Sequence, residues 1–288
     1  MQIARFNGGR IGIVDGDAVI DVTEAACVDP SEFPPVGPVR MIMDFSVRRA
    51  AMERAAATAA RIPLDQVRFE TPVPWPNKLI AIPVNYHAHA VEMSSPTISR
   101  NAGFFVLSAA SLSGASDSIV LPDLPGREIH HEAELAVIIG RGGRHIRRED
   151  ALGHVFGYAC LLDITLRGGQ ERAIRKSYDT FTPVGPWIVT ADEVGEPSDL
   201  PVRLWVNGAL RQEANTRDMI LDVPDIISMC SSVTTLMPGD VIASGTGEGV
   251  GPIADGDSVA IEIGRVGRMA IAVRRGEGGS NVAIPYRF

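Results

Sequence analysis

His130-His-Glu-Ala-Glu-Leu-Ala-Val-Ile-Ile-Gly140 joins two kinds of chemistry in one short stretch. Its second half is an unbroken run of aliphatic residues and reads as a buried strand. Its first half sets Glu132 and Glu134 two residues apart. On a strand, residues i and i+2 project from the same face. Two carboxylates pointing the same way repel and are costly when partly buried. A bound divalent cation cancels that repulsion. An all-oxygen site suits a hard ion such as Mg²⁺, Mn²⁺ or Ca²⁺ and is a poor match for zinc. The same spacing also fits a solvated strand start with two unpaired glutamates, because exposed Glu is common.

A third ligand has to come from elsewhere. Cys160-Leu-Leu-Asp-Ile164 carries Asp163 in an apolar run, placed after a helix expected over residues 149–158. A lone Asp there reads equally as a turn or cap residue. The order strand with two Glu, helix, strand with Asp would let three carboxylates converge.

Around this stretch the chain consists mostly of short apolar runs separated by Gly, Pro and Asp, for example residues 187–190, 202–206, 241–243 and 259–263. Short strands at this density predict an α+β, β-rich fold of closed or sandwich type. A second helix is expected from about residue 224 to 236, with Pro224 near its first turn and Pro238-Gly-Asp240 after it. Residues 78–82 form a short buried strand that opens the main body.

Upstream, residues 1–71 read as a small N-terminal domain and residues 72–288 as the catalytic one. Ile11-Gly-Ile-Val14, Asp15-Gly-Asp17 and Ala18-Val-Ile20 spell a hairpin, since Asp-Gly supplies turn backbone between β-prone runs. Residues 30–38 are a proline-rich connector. Residues 45–61 read as a half-exposed helix closed by Pro63. The tail from Gly276 to Ser280 reads as a flexible exit.

The bulk numbers exclude several classes. The 288 residues are 45% hydrophobic and 22% charged, which is ordinary for a globular protein. The formal net charge of -8 gives no electrostatic reason to expect nucleic acid or an anionic membrane as partner. Three widely separated cysteines, Cys27, Cys160 and Cys230, argue against a disulfide framework or a zinc knuckle. A cytoplasmic protein without a signal peptide or membrane span is the expectation.

Two further stretches carry chemistry. In Asn85-Tyr-His-Ala-His-Ala-Val-Glu-Met93 a helical turn would put His89 and Glu92 at i and i+3 on one face. A carboxylate beside an imidazole fixes its tautomer and raises its basicity, as a water-activating base requires. A surface His with a helix-stabilising neighbour fits the spacing as well, and His87 has no partner at useful spacing. Lys176 can bind an oxyanion as a point charge or sit exposed in a loop. Ser244-Gly-Thr-Gly-Glu-Gly-Val-Gly251 can hold an anion on backbone N–H groups or simply turn between strands. It matches neither the P-loop nor the dinucleotide-binding pattern.

The order of these signals is more specific than any one of them. Asn85-Tyr-x-x-His89-x-x-Glu92, Glu132-x-Glu134-Leu-Ala-Val-Ile-Ile-Gly140, Val155-Phe-Gly-Tyr158, Asp163, Lys176-Ser-x-Asp-Thr-Phe181 and Pro183-x-Gly-Pro-Trp-Ile-Val189 follow one another. Val206-Asn-Gly208, Arg211-Gln212, Thr235-Leu-x-Pro-Gly-Asp-Val-Ile242 and Gly245-Thr-Gly247 continue the series. Over residues 77–275 the chain resembles the fumarylacetoacetate hydrolase family. The resemblance implies a mixed β-sandwich/barrel-like catalytic domain, a smaller N-terminal domain and usually a homodimer. It implies Mg²⁺, or Mn²⁺ or Ca²⁺, on Glu132, Glu134 and Asp163. His89 and Glu92 would lie on a lid over the substrate, with Lys176 as a third catalytic residue. Tyr86, Arg167, Gln170 and Thr246 would contact the substrate, a small oxo or dioxo acid.

The sequence departs from the family where the aspartate strand usually reads Asn-Asp-Val-Ser/Thr-Ala-Arg-Asp. Here it reads Leu162-Asp-Ile-Thr-Leu-Arg-Gly168. A family lysine is replaced near Leu107, and Gly247-Glu248 stands where Pro is frequent. The carboxylates are untouched by these changes. The leading expectation is metal-assisted hydrolysis of a C–C bond in a 1,3-dicarbonyl or 2,4-dioxo acid. Decarboxylation of an oxo acid, isomerisation or hydration of a dienoate, or binding of an organic acid without turnover are the alternatives.

Overall fold

The computed structural model describes residues 1–95 and 97–276. Of the tail expected to be flexible, residues 277–280 lie outside that range. Residues 133–139 sit in the middle of a 12-stranded sheet, while His130 and His131 pair in a separate three-stranded one. The strand Ala133–Ile139 pairs antiparallel with Val155–Leu162 on one side and Val241–Thr246 on the other. Beyond Val155–Leu162 come Thr182–Thr190 and then the N-terminal strands Gln2–Phe6, Arg10–Asp15 and Ala18–Asp21. The Asp15-Gly-Asp17 hairpin forms as expected, with Asp15 paired to Ala18. The opposite side of the sheet ends in Leu79–Ala81 and Phe105–Leu107.

Both faces of the central strand are covered, which explains its continuous apolar run. Leu135, Val137 and Ile139 point into a core shared with a five-stranded sheet, whose Val202, Leu204, Val259, Ile261 and Ile271 face them. The helix Val223–Val233 closes this core with Ile226, Ile227 and Cys230. It begins where Pro224 predicts, and the Asp222 side chain caps it by accepting from the Asp225 N–H. Ala136 and Ile138 point the other way, into a second core with Met41, Ile42 and Met52. Those residues come from the helices Gly37–Met43 and Phe45–Ala56.

Three local expectations are corrected. Residues 149–158 are not one helix. A 3₁₀ segment Arg148–His154 ends where the strand Val155–Leu162 begins. β-Branched and aromatic side chains favour the strand. Gly157 also lets Thr182–Thr190 approach, since a Cβ there would lie 2.3 Å from the Val189 carbonyl oxygen. Asp163 therefore follows directly on a strand and is no turn residue. The proline-rich connector contains the start of the Gly37–Met43 helix, with Pro38 in its first turn, where a missing N–H costs nothing. The next helix ends at Ala56, and Arg61–Pro63 is a strand beside Ala18–Asp21.

The fully buried Leu135 offers a direct test of the two-sided burial. Leu135→Ala should lower the unfolding free energy in urea by about 2–5 kcal/mol. A loss under about 1 kcal/mol would mean that this face of the strand is not closely packed.

Candidate active site

Sheet register brings the three carboxylates together. Ala133 pairs with Leu162, and the Asp163 N–H donates to the Glu132 carbonyl at 2.9 Å, so Glu132 and Asp163 face each other just past the paired strands. Glu134 pairs with Thr246 on the other neighbour. One oxygen from each of Glu132, Glu134 and Asp163 lies within 4.8 Å of the others. All three side chains are buried, at 5%, 3% and 1% exposure. This decides between the two readings of Glu-x-Glu, because the pair is not a solvated strand start.

Three negative charges in so small and dry a space need counter-charge. Lys176 supplies part of it. Its Nζ donates to Glu132 Oε2 at 2.8 Å and also to Asp163 Oδ2. Arg167 brings Nη2 to 3.1 Å from Glu132 Oε1. Burial opposes ionisation of Glu132, but Lys176, Arg167 and His89 together outweigh it and hold its carboxyl at about 2. Burial raises Asp163 to about 6, with Lys176 only partly opposing. Burial, and then the charge of Asp163, push Glu134 well above the ordinary carboxylate range. Burial works against the charge on Lys176, but the three carboxylates prevail and raise it.

The donor set fits a hard divalent cation. It offers oxygens only, Asp163 Oδ1 is buried without a hydrogen-bond partner, and Glu134 lacks the positive charge it needs to ionise. Glu134 Oε2 also accepts from the Gly245 N–H at 2.7 Å. Gly245 has φ +94°, and a Cβ there would lie 2.6 Å from the Asn85 Cβ, so only glycine brings this N–H to the carboxylate.

His89 and Glu92 lie on the short helix His87–Glu92, as the i, i+3 spacing predicts. His89 Nδ1 is 2.9 Å from Glu92 Oε2, and Glu92 Oε1 accepts from the Gly249 N–H at 2.9 Å. With Glu92 as acceptor for Nδ1–H, the neutral ring would carry its lone pair on Nε2. Asn85 anchors the approach to this helix. Its Nδ2 donates to the carbonyls of Leu221 and Ser244, and its Oδ1 accepts from Ser99 Oγ and the Leu221 N–H. This anchorage holds the β-branched Val84 at φ 48°, a strained conformation next to the site.

A cavity of about 270 Å³ collects these groups. His89, Glu132, Glu134, Asp163, Arg167, Lys176 and Thr246 all line it. Two expected substrate contacts do not. Tyr86 is buried, bridges to Met219 and faces a separate depression beside Asp218 and Gly247. The Gln170 side-chain oxygen is taken by Arg127 Nη2 at 2.8 Å. The structure adds Arg172 and Arg175 to the lining, along with Thr165 and Phe105. The two arginines precede Lys176 in Arg172-Ala-Ile-Arg-Lys176, a segment in which only the lysine stands out from the sequence.

Gln212 is a further addition. It donates to Thr246 Oγ1 at 2.8 Å and to the Gly247 carbonyl, and accepts from the Ala133 N–H at 3.0 Å and from His131 Nδ1 at 3.2 Å. It ties the Thr246 loop to the acidic strand.

The model of the fumarylacetoacetate (FAA) hydrolase C-terminal domain matches residues 78–274. The chain belongs to the fumarylacetoacetate hydrolase family. It is 44% identical over 286 residues to a maleylpyruvate hydrolase of Aquipseudomonas alcaligenes, a match spanning 95% of this chain and 99% of the relative. The crystal structure of maleylpyruvate hydrolase from Sphingobium sp. SYK-6, also determined with manganese(II) and pyruvate, superposes with a TM-score of 0.89 at 54% identity, over 96% of this chain and 100% of that one. Human mitochondrial oxaloacetate tautomerase FAHD2B is 37% identical over 236 residues, 77% of this chain and 74% of the relative. The β-rich fold expected of the family is the one observed. This chain is a metal-dependent enzyme of the family. No helix among the described residues is long and apolar enough to cross a membrane.

Asp163→Asn and Glu134→Gln should each weaken Mn²⁺ binding, measured calorimetrically, by more than about 100-fold. Losing even an outer partner of a ligand commonly costs about 10- to 100-fold. Binding within threefold of wild type in both variants would remove these residues from the ion site.

Proposed function

We propose that this enzyme hydrolyses the C–C bond between the two keto groups of a 2,4-dioxo acid of the maleylpyruvate type. The observation that carries this reading is His89, hydrogen-bonded to Glu92 behind it, in the same cavity as a buried carboxylate trio fit for a hard ion. The likeness to two maleylpyruvate hydrolases along almost the whole chain supports it.

Glu132, Glu134 and Asp163 hold the divalent cation, Mg²⁺ or Mn²⁺, with Ca²⁺ equally compatible with oxygen ligands. When bound, the ion supplies Lewis-acid polarisation of the substrate's keto oxygens and favours the enolate leaving group. His89 Nε2 takes a proton from water, whose oxygen adds to the C4 carbonyl. Glu92 keeps the Nδ1–H in place and stabilises the imidazolium that results. The C3–C4 bond then breaks. Its electron pair leaves with the three-carbon enolate, which is protonated at carbon to pyruvate, and the C4 fragment departs as a carboxylic acid. Lys176 neutralises oxyanion charge through Nζ, and Thr246, held by Gln212, orients the substrate carboxylate. Arg167 adds positive charge beside Glu132, while Tyr86 and Gln170 act through the elements they pack against.

Residues 72–288 form the catalytic unit in this reading and residues 1–71 an accessory one. The enzyme works in the cytoplasm as a homodimer on a small dioxo acid.

A tautomerase reading draws on the oxaloacetate tautomerases among the relatives. It needs enolisation but no attack by water, and so gives His89 a different weight. Maleylpyruvate turnover should vanish after exhaustive chelation and return with Mn²⁺ or Mg²⁺. Full activity in the chelated enzyme refutes the scheme. His89→Ala should lower hydrolytic kcat by about 10²- to 10⁴-fold, the usual contribution of general base catalysis. Glu92→Gln should lower it by a smaller factor. If His89→Ala hydrolyses at the wild-type rate while oxaloacetate tautomerisation falls, the tautomerase reading replaces this one.

A further inference from the structure

The short helix Arg172–Lys176 sends three cationic side chains towards one cavity. Residues 172, 175 and 176 stand at i, i+3 and i+4 and share a face. Lys176 is paired with Glu132 and Asp163. Arg172 and Arg175 are not: among the described residues neither makes an ion pair, although both are only half exposed. Other arginines among the described residues also lack an ion pair, but of these only Arg172 and Arg175 line this cavity. Far more exposed arginines, such as Arg61, Arg147, Arg148 and Arg217, all find carboxylates.

Further positive charge gathers nearby without an acidic partner. Arg127 is pinned by the Arg167 carbonyl and by Gln170 Oε1, both neutral acceptors. Arg175 is fixed in the same way, its Nε donating to the Gln170 carbonyl at 2.9 Å, which leaves its terminal nitrogens free. Burial, and then the charge of Arg167, lower the basicity of Arg175; Glu132 opposes them in part, and Arg172 and Arg127 add to the lowering. An anion arriving in the cavity relieves that repulsion.

We propose that Arg172 and Arg175 form a subsite for a second, distal carboxylate of the substrate, and so select dicarboxylic dioxo acids over those with an uncharged tail. The inference rests on the dioxo acid reading above. That reading places the keto-acid end of the substrate at the carboxylate trio, Lys176 and Thr246. Arg172 starts one helical turn from Lys176, about 6 Å along the axis. This is a reach that a short acyl tail spans while its head stays at the reacting centre. A guanidinium presents a planar fork matched to a carboxylate, and a half-desolvated pair of them discriminates strongly against a neutral tail. The cavity, at about 270 Å³, admits a small diacid and excludes a polymer.

The test compares kcat/KM for maleylpyruvate, which ends in a carboxylate, with that for acetylpyruvate, which ends in a methyl group. The enzymes are wild type, Arg172→Gln, Arg175→Gln and the double variant, all loaded with Mn²⁺. Wild type should favour maleylpyruvate. Each single variant should reduce that preference by about 10- to 100-fold, the scale of a lost charge-assisted hydrogen bond. The change should fall mainly on KM, and Arg172→Lys should restore part of it. Maleate alone, titrated calorimetrically, reads the subsite without turnover. Its binding should weaken in the Gln variants while Mn²⁺ binding reports an intact fold. Equal losses on both substrates, or an unchanged preference, overturn the proposal. If wild type cleaves neither dioxo acid, the functional reading has failed. The subsite then stands or falls on maleate, with equal binding by wild type and variants refuting it.

Discussion

Three carboxylates within 4.8 Å of one another, all buried, are the constraint around which this molecule is arranged. At such separations each pair of like charges repels by about 3 kcal/mol even at an effective dielectric constant of ~20. The chain answers with one lysine in contact and one arginine alongside. That suffices for Glu132 and leaves Glu134 pushed far towards its neutral form by burial and by Asp163. The surplus is not an accident of loop placement. It is built into the register of three adjacent strands in the middle of the sheet, where side-chain positions are hardest to shift.

Rigidity behind the site follows from the same strands. Ala133–Ile139 is covered on both faces and hydrogen-bonded on both edges, so it presents Glu132 and Glu134 from a fixed base. The groups that complete the site are supported by short polar clamps. Asn85 holds the approach to the histidine helix through four hydrogen bonds, and Gln212 spans from the acidic strand to Thr246. Strain at Val84 persists because the Asn85 clamp over-determines the backbone around it. The site thus pairs a stiff acidic floor with a histidine-bearing segment tethered at a few points.

Much of this was legible before any coordinates. Alternation on a strand is a strict period of two, so Glu132 and Glu134 had to face the same way if the stretch was a strand. The His89–Glu92 pair was legible for a similar reason, because i and i+3 meet on any helical turn. Burial of the acidic pair was not legible, since spacing alone does not distinguish a solvated strand start from a metal floor. Residues 149–158 misled because helix-favouring and strand-favouring residues abut there. The boundary at Val155 is set by its pairing with Ile139 of the central strand, sixteen residues upstream. Gln212 stood only as one member of the family series, and its role was hidden because its four polar contacts lie in segments far from it in sequence.

The amino-acid order determined the identity of the chemistry: which acids, which base and which lysine are available, and that the fold is rich in short strands of the fumarylacetoacetate hydrolase type. Local periodicity carries that information, and local periodicity survives in a one-dimensional string. Only the tertiary structure decided that Asp163 joins the two glutamates, that Lys176 lies between them, and that Arg172 and Arg175 reach the same cavity without acidic partners. Those facts depend on inter-strand register and on which charges are left unpaired after packing. Both are properties of contacts between residues far apart in the chain, which no spacing rule encodes.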